Sequence, residues 1–98
     1  MAYKIIVSPR TQKEVENAID YYSSLSDDAP LNFVQAVKET FDSLSVNPFF
    51  RIRYKNVRAL KINKFPYSIY FAINKNEQIV RVLSCFHNKL NPNKRPRY

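Results

Sequence analysis

Two periods of hydrophobic and polar residues run through this chain, and the change from one to the other divides it near its middle. Tyr3 to Val7 is short and rich in β-branched residues, as a strand requires, and Ser8-Pro9 ends it because proline has no N–H to give to a ladder. The same pair predicts a helix start, with Ser8 as the cap and proline in the first turn. Thr11 followed by Glu14 offers a second capping box, so two starts a few residues apart are open. Val15, Ala18, Ile19, Tyr22 and Leu25 then recur at spacings of three and four, while Lys13, Glu14, Glu16, Asn17 and Asp20 take other positions on the wheel. Ser26-Asp27-Asp28-Ala29-Pro30 interrupts this helix and supplies acidic capping residues and a first-turn proline for the next. The second apolar stripe is Phe33, Val34, Val37, Phe41 and Leu44, and Asn47-Pro48 stops it. So short a link predicts an antiparallel helical hairpin.

From Phe49 the period becomes alternating. Val57 to Ile62, Tyr67 to Ile73 and Ile79 to Phe86 read as strands; in the middle one Tyr67, Ile69, Phe71 and Ile73 share a face, with Ser68, Tyr70 and Ala72 on the other. Phe50 to Asn56 reads equally as a short edge strand or a loop. Lys64-Phe65-Pro66 separates the first two strands, and Asn74-Lys75-Asn76-Glu77 is a turn in which Asn takes the positive-φ positions of a chain with no glycine. The expected architecture is α+β: an N-terminal strand and a two-helix antiparallel hairpin packed on a mainly antiparallel β-sheet of four or so strands. Residues 1–98 read as a single domain, with an irregular basic tail over 88–98.

Charge alters this picture. Residues 1–49 hold four bases and seven acids, whereas residues 50–98 hold twelve bases and only Glu77, within an overall net charge of +8. A surface so divided favours nucleic acid, a nucleoprotein particle or an acidic protein segment, against the plainer reading that the lysines only keep the domain soluble. No apolar run is long enough to span a bilayer, and the N-terminus lacks the pattern of a signal peptide, so a cytoplasmic protein with no membrane partner is expected. The single Cys85, inside the apolar Val82-Leu83-Ser84-Cys85-Phe86, reads as a buried, inert thiol, and one His with one Cys makes no metal site; no cofactor is implied.

The order of elements and several residues resemble the RelE/ParE superfamily of small toxins over nearly the whole chain. The resemblance rests on Ser8-Pro9, Tyr22, Leu44 with Pro48, Arg58-Ala59-Leu60, the aromatic strand Phe65-Pro66-Tyr67-Ser68-Ile69-Tyr70-Phe71, Arg81-Val82-Leu83, and Phe86-His87 before Asn91-Pro92. The Phe-Pro-Tyr strand followed by one ending in His is closest to the ParE-like branch. The resemblance implies the toxin of a bacterial type II toxin–antitoxin pair, which inhibits growth and can stabilise plasmids, and which a cognate acidic antitoxin neutralises.

Two mechanisms are open within the resemblance. A ParE-like toxin blocks DNA gyrase and performs no chemistry. A RelE-like one cuts mRNA on the ribosome, which requires groups that hold the phosphate and move protons. Here Arg81 and His87 are the candidate catalytic residues, His87 because an unperturbed imidazole titrates near neutrality, and Arg58, Lys61, Lys64 and Lys89 form the candidate basic binding surface. His87 reads equally as a polar residue closing the last strand, and Arg81 as a side chain whose stem lies at the sheet edge with its charge in water. Tyr67 and Tyr70 read as packing residues rather than platforms for bases. Many nucleases of the superfamily carry an arginine just after the first aromatic residue of the central strand, where this chain has Ser68, and that departure favours the gyrase-blocking branch. The remaining alternative is a non-toxic basic nucleic-acid-binding module, against which stands the absence of any recognisable nucleic-acid-binding motif.

Overall fold

The structure, a computed structural model, describes residues 2–50 and 52–88, without the side chains of Arg53 and Tyr54. The elements run β1 (Lys4–Val7), α1 (Pro9–Ser23), α2 (Ala29–Val46), β2 (Ile52–Tyr54), β3 (Val57–Lys61), β4 (Tyr67–Asn74) and β5 (Ile79–His87). The five strands form one sheet in the order β1-β5-β4-β3-β2, and its neighbours are antiparallel except β1 and β5. The expected α+β arrangement is present, with Ile52–Tyr54 resolving the Phe50–Asn56 ambiguity in favour of a short edge strand.

Ser8 is the cap of α1: its Oγ accepts the Thr11 N–H at 3.1 Å, with Pro9 in the first turn. The alternative box from Thr11 is unused, because Thr11 is buried and its hydroxyl donates to the Val82 carbonyl at 3.3 Å. At α2 the acidic cap is replaced. Asp28 occupies the cap position in helical geometry without a side-chain bond, and Ser26 Oγ accepts the Ala29 N–H at 3.0 Å instead. The buried stripe of α2 is Phe33, Ala36, Val37, Thr40 and Leu44, whereas Val34 is 45% exposed and Phe41 half-buried, so the small Ala36 and Thr40 take places on the inner face. Leu25 lies beyond the end of α1 and is 60% exposed.

Both helices cover one face of the sheet. Phe33, Leu44, Ile62, Ile69, Phe71, Val80, Val82 and Cys85 meet there in the main core. On the opposite face Val57, Tyr70 and Phe86 form a smaller cluster, with Ala59 and Leu83 against it. The alternation read for β4 holds: Tyr67, Ile69, Phe71 and Ile73 pack with the main core and Tyr70 with the smaller one. In β5 the alternation is broken. Tyr70 pairs with Ser84 and Phe71 with Val82, so Leu83 is an extra residue, a β-bulge. Before it Val80 and Val82 pack with the helices; after it Cys85 does so.

The turn between β4 and β5 also departs from expectation. Asn74 closes it with its side chain, Oδ1 accepting the Glu77 N–H at 3.1 Å and Nδ2 donating to Glu77 Oε1 at 2.8 Å. The positive φ, 53°, falls on Gln78 rather than on an asparagine. Among the described residues Lys55 and Lys64 also take positive φ, 49° and 71°, in turns flanking β3. With no glycine available, each side chain is held where its Cβ crowds the backbone, at roughly 1–2 kcal/mol apiece.

Candidate functional site

The first turns of α1 take the place of a strand. β1 stops at Val7 opposite Val82, and beyond it polar groups from α1 satisfy the bare edge of β5. Ser8 N–H donates to Val82 O at 3.1 Å and Ser8 Oγ to Leu83 O at 3.3 Å. Glu14 Oε1 accepts from Ser84 Oγ at 2.8 Å and from the Cys85 N–H at 3.1 Å, while its Oε2 lies 3.5 Å from Arg10 Nε. A buried strand edge cannot leave these donors unpaired, which explains a carboxylate on the inner side of α1.

Cys85 is buried, as expected. Loss of water, and secondarily the Glu14 carboxylate, push its thiol up from 9.0 to about 12. At pH 8 the thiolate fraction is then lowered about a thousandfold against an ordinary thiol, so thiol-specific reagents should modify the folded protein only on a timescale set by unfolding, and react at once in denaturant. The folded thiol holds its proton more tightly than the unfolded one. Its contribution to stability is therefore complete below pH 9 and declines as pH rises from about 9 towards about 12. Labelling rates followed across that range check both statements.

Past Cys85, α1 and the ends of β4 and β5 diverge and leave two adjoining depressions. One, of about 300 Å³, lies among Glu14, Asn17, Ala18, Tyr67, Cys85 and His87. The other, of about 480 Å³, lies among Tyr21, Tyr22, Leu25, Pro66, Tyr67 and His87. Tyr67 and His87 stand where the two meet, their rings edge to face at 4.9 Å. Behind them Tyr22, Phe33, Phe65 and Tyr67 form an aromatic cluster, in which Phe33 has ring centroids 5.2 to 5.4 Å from the other three. Burial foremost, with a nearby phenol second for Tyr22, raises the pKa of Tyr22 and Tyr67, so both remain neutral donors at physiological pH. The groove therefore offers an aromatic compartment and a polar one along a single stripe of α1. Asn17 and Tyr21 were not singled out from sequence, although 14, 17, 18, 21, 22 and 25 recur at helical spacing.

The residues expected to act together are dispersed. His87 lines the groove on the helix side. Arg81, between the helix-facing Val80 and Val82, projects from the opposite face, where it is exposed and pairs with Ala72. Arg58 is tied down, its Nη1 donating to Phe50 O at 2.7 Å. Lys61 and Lys64 are exposed at the end of β3 and in the turn after it, and Lys89 lies outside the described residues. Ser68 is buried and donates to Asn88 Oδ1 at 2.8 Å. Tyr70 packs against Phe86 with centroids 6.0 Å apart, and Tyr67 belongs to the aromatic cluster, so both are packing residues. Among the described residues Arg10–Glu14 is the one ion pair, no group of three His, Cys, Asp or Glu side chains is placed to hold a metal, and no helix is long and apolar enough to cross a membrane.

The family described as the ParE toxin of the type II toxin–antitoxin system, parDE, matches residues 5–91. No curated protein sequence matches. Among solved structures, a chain of the chromosomal ParDE toxin–antitoxin system from P. aeruginosa is similar with a TM-score of 0.74 at 18% identity, over 88% of this chain and 96% of that one. A chain of the RelBE2 toxin–antitoxin complex from Mycobacterium tuberculosis gives 0.65 at 14% identity, over 89% and 99%. The isolated E. coli RelE toxin gives 0.53 at 14% identity, over 93% and 89%.

Proposed function

Since this chain belongs to the ParE toxin family of type II toxin–antitoxin systems, we propose that it arrests growth by binding and blocking DNA gyrase, without chemistry of its own, and that a cognate acidic antitoxin restrains it. The observation that carries this reading over a nuclease is the bulge in β5. Arg81 and His87 have the same parity, so an unbroken strand would present both on one face. The extra residue at Leu83 sends them to opposite faces, and a phosphate between them is out of reach of one or the other. Ser68, where many nucleases of the superfamily carry arginine, is buried and committed to Asn88.

The partner follows from charge and from the relatives. Lys61, Lys64 and Arg81 are exposed, and among the described residues none is within ion-pair distance of a carboxylate. An acidic segment that folds on binding suits such a surface. The similar solved structures from P. aeruginosa and Mycobacterium tuberculosis are of toxin–antitoxin systems, which supports an antitoxin partner here.

Purified gyrase supplied with relaxed plasmid tests the proposal. Added toxin should stop supercoiling, and Arg81→Ala together with His87→Ala should leave growth arrest intact. The outcome that sinks it is undisturbed supercoiling together with new 5′ ends on messages only while they are translated. That result would assign the ribosome as target and Arg81 and His87 as catalytic residues.

A further inference from the structure

At the end of the sheet away from the groove, where α2 runs out and β2 begins, three apolar side chains stand in solvent: Val46 is 78% exposed, Phe49 47% and Ile52 48%. Phe49 and Ile52 belong to one corner, and Val46 is the last residue of α2, three before Phe49. Ile52 is the cross-strand partner of Arg58, and the Arg58 guanidinium, fixed by its bond to Phe50 O, lies 5.5 Å from the centre of the Phe49 ring. The Lys75 ammonium, from the turn beyond β4, lies 5.5 Å from the same ring. Tyr3 meets the ring edge-on at 6.0 Å and holds its orientation. Neither Arg58 nor Lys75 has a carboxylate within ion-pair distance among the described residues.

Two cations brought to one half-exposed ring repel each other, and the ring offsets only part of that repulsion. An anionic group covering the corner would offset the remainder. A single-stranded nucleic acid would need a bare ring face for a base, whereas here the cations lie over the ring, and Val46 and Ile52 offer nothing to stack upon. Aliphatic side chains beside unpaired cations match a peptide that carries both leucine-like residues and carboxylates.

We propose that the Val46–Phe49–Ile52 corner, with Arg58 and Lys75, is a docking surface for an acidic amphipathic segment of the antitoxin. Its apolar side chains cover Phe49 and its neighbours, and its carboxylates meet the two cations. The proposal rests on the toxin reading for the source of the segment, and on the geometry alone for its chemistry.

A fluorescently labelled peptide of alternating Glu and Leu, titrated with the purified protein at low salt and followed by anisotropy, is the test. The peptide should bind, and its Gln/Leu counterpart should bind far more weakly. Lys75→Glu should weaken binding on the order of fivefold and Phe49→Ala at least as much, while Lys13→Glu on α1 leaves it unchanged. Equal binding by wild type, Phe49→Ala and Lys75→Glu would overturn the proposal, as would equal binding of the Gln/Leu peptide. Displacement of the peptide by oligothymidylate would reassign the corner to nucleic acid. Because the readout does not involve growth or gyrase, a peptide that fails to bind removes this surface and leaves the toxin reading standing. Gyrase that is unaffected does the reverse.

Discussion

Phe33→Ala should leave much of the protein unfolded at 37 °C, with a loss of about 3–5 kcal/mol read from urea denaturation. The residue is fully buried on α2, and its ring touches those of Tyr22 on α1, Phe65 in the turn before β4, and Tyr67 on β4. Three parts of the fold therefore lose a neighbour at once. The surrounding rings come from three separate parts of the fold, so collapse into the space should be incomplete and much of the cavity cost should apply. Against a total stability on the order of 5–15 kcal/mol for a domain of this size, that is a large share. Phe33→Leu, which retains most of the volume, should cost much less. A Phe33→Ala protein as stable as wild type would show that the aromatic cluster is peripheral to folding.

The second large effect is expected at Glu14. Glu14→Ala removes the acceptor for both the Cys85 N–H and the Ser84 hydroxyl, two groups at a strand edge on buried residues. Each orphaned donor costs about 1–3 kcal/mol. Glu14→Gln keeps an oxygen for both and should lose about 1 kcal/mol, the difference between a charged and a neutral acceptor. Glu14→Gln also removes a carboxylate that raises the Cys85 thiol, so Cys85 should become somewhat easier to ionise while remaining buried. Urea midpoints combined with thiol labelling separate the two effects. If Glu14→Ala and Glu14→Gln are equally mild, α1 does not close the edge of β5 in the way described.

What was legible from sequence lay in local period and punctuation. Ser8-Pro9 marked the start of α1, Asn47-Pro48 the end of α2, and the alternation of β4 sorted its side chains onto the correct faces. What escaped depended on partners distant in the chain. Nothing within Lys4–Val7 announces that it pairs in parallel with Ile79–Val82, because a four-residue strand carries no label for its neighbour. Glu14 read as half of a capping box with Thr11 or as a polar position on the wheel, since its partners are seventy and seventy-one residues away. The bulge at Leu83 was invisible because neither glycine nor proline marks it, and that one extra residue decides whether Arg81 and His87 share a face. The corner around Phe49 was hidden because it adjoins Phe50 to Asn56, a segment readable either as loop or as strand.

The sheet order has a consequence for the way the molecule is made. β5 lies between β1 and β4, so of the described strands the one that leaves the ribosome latest is the one that joins the earliest to the rest. Until residues 79–87 have emerged, Lys4–Val7 has no partner and the helical hairpin has only part of a sheet to cover. At about 5–20 residues per second the chain spends several seconds in that state, and the closing contact joins Lys4 to Ile79, a separation that makes it slow to form. Closure of the sheet thus waits for Ile79–His87, and a chain interrupted before Ile79 lacks the strand that joins β1 to β4.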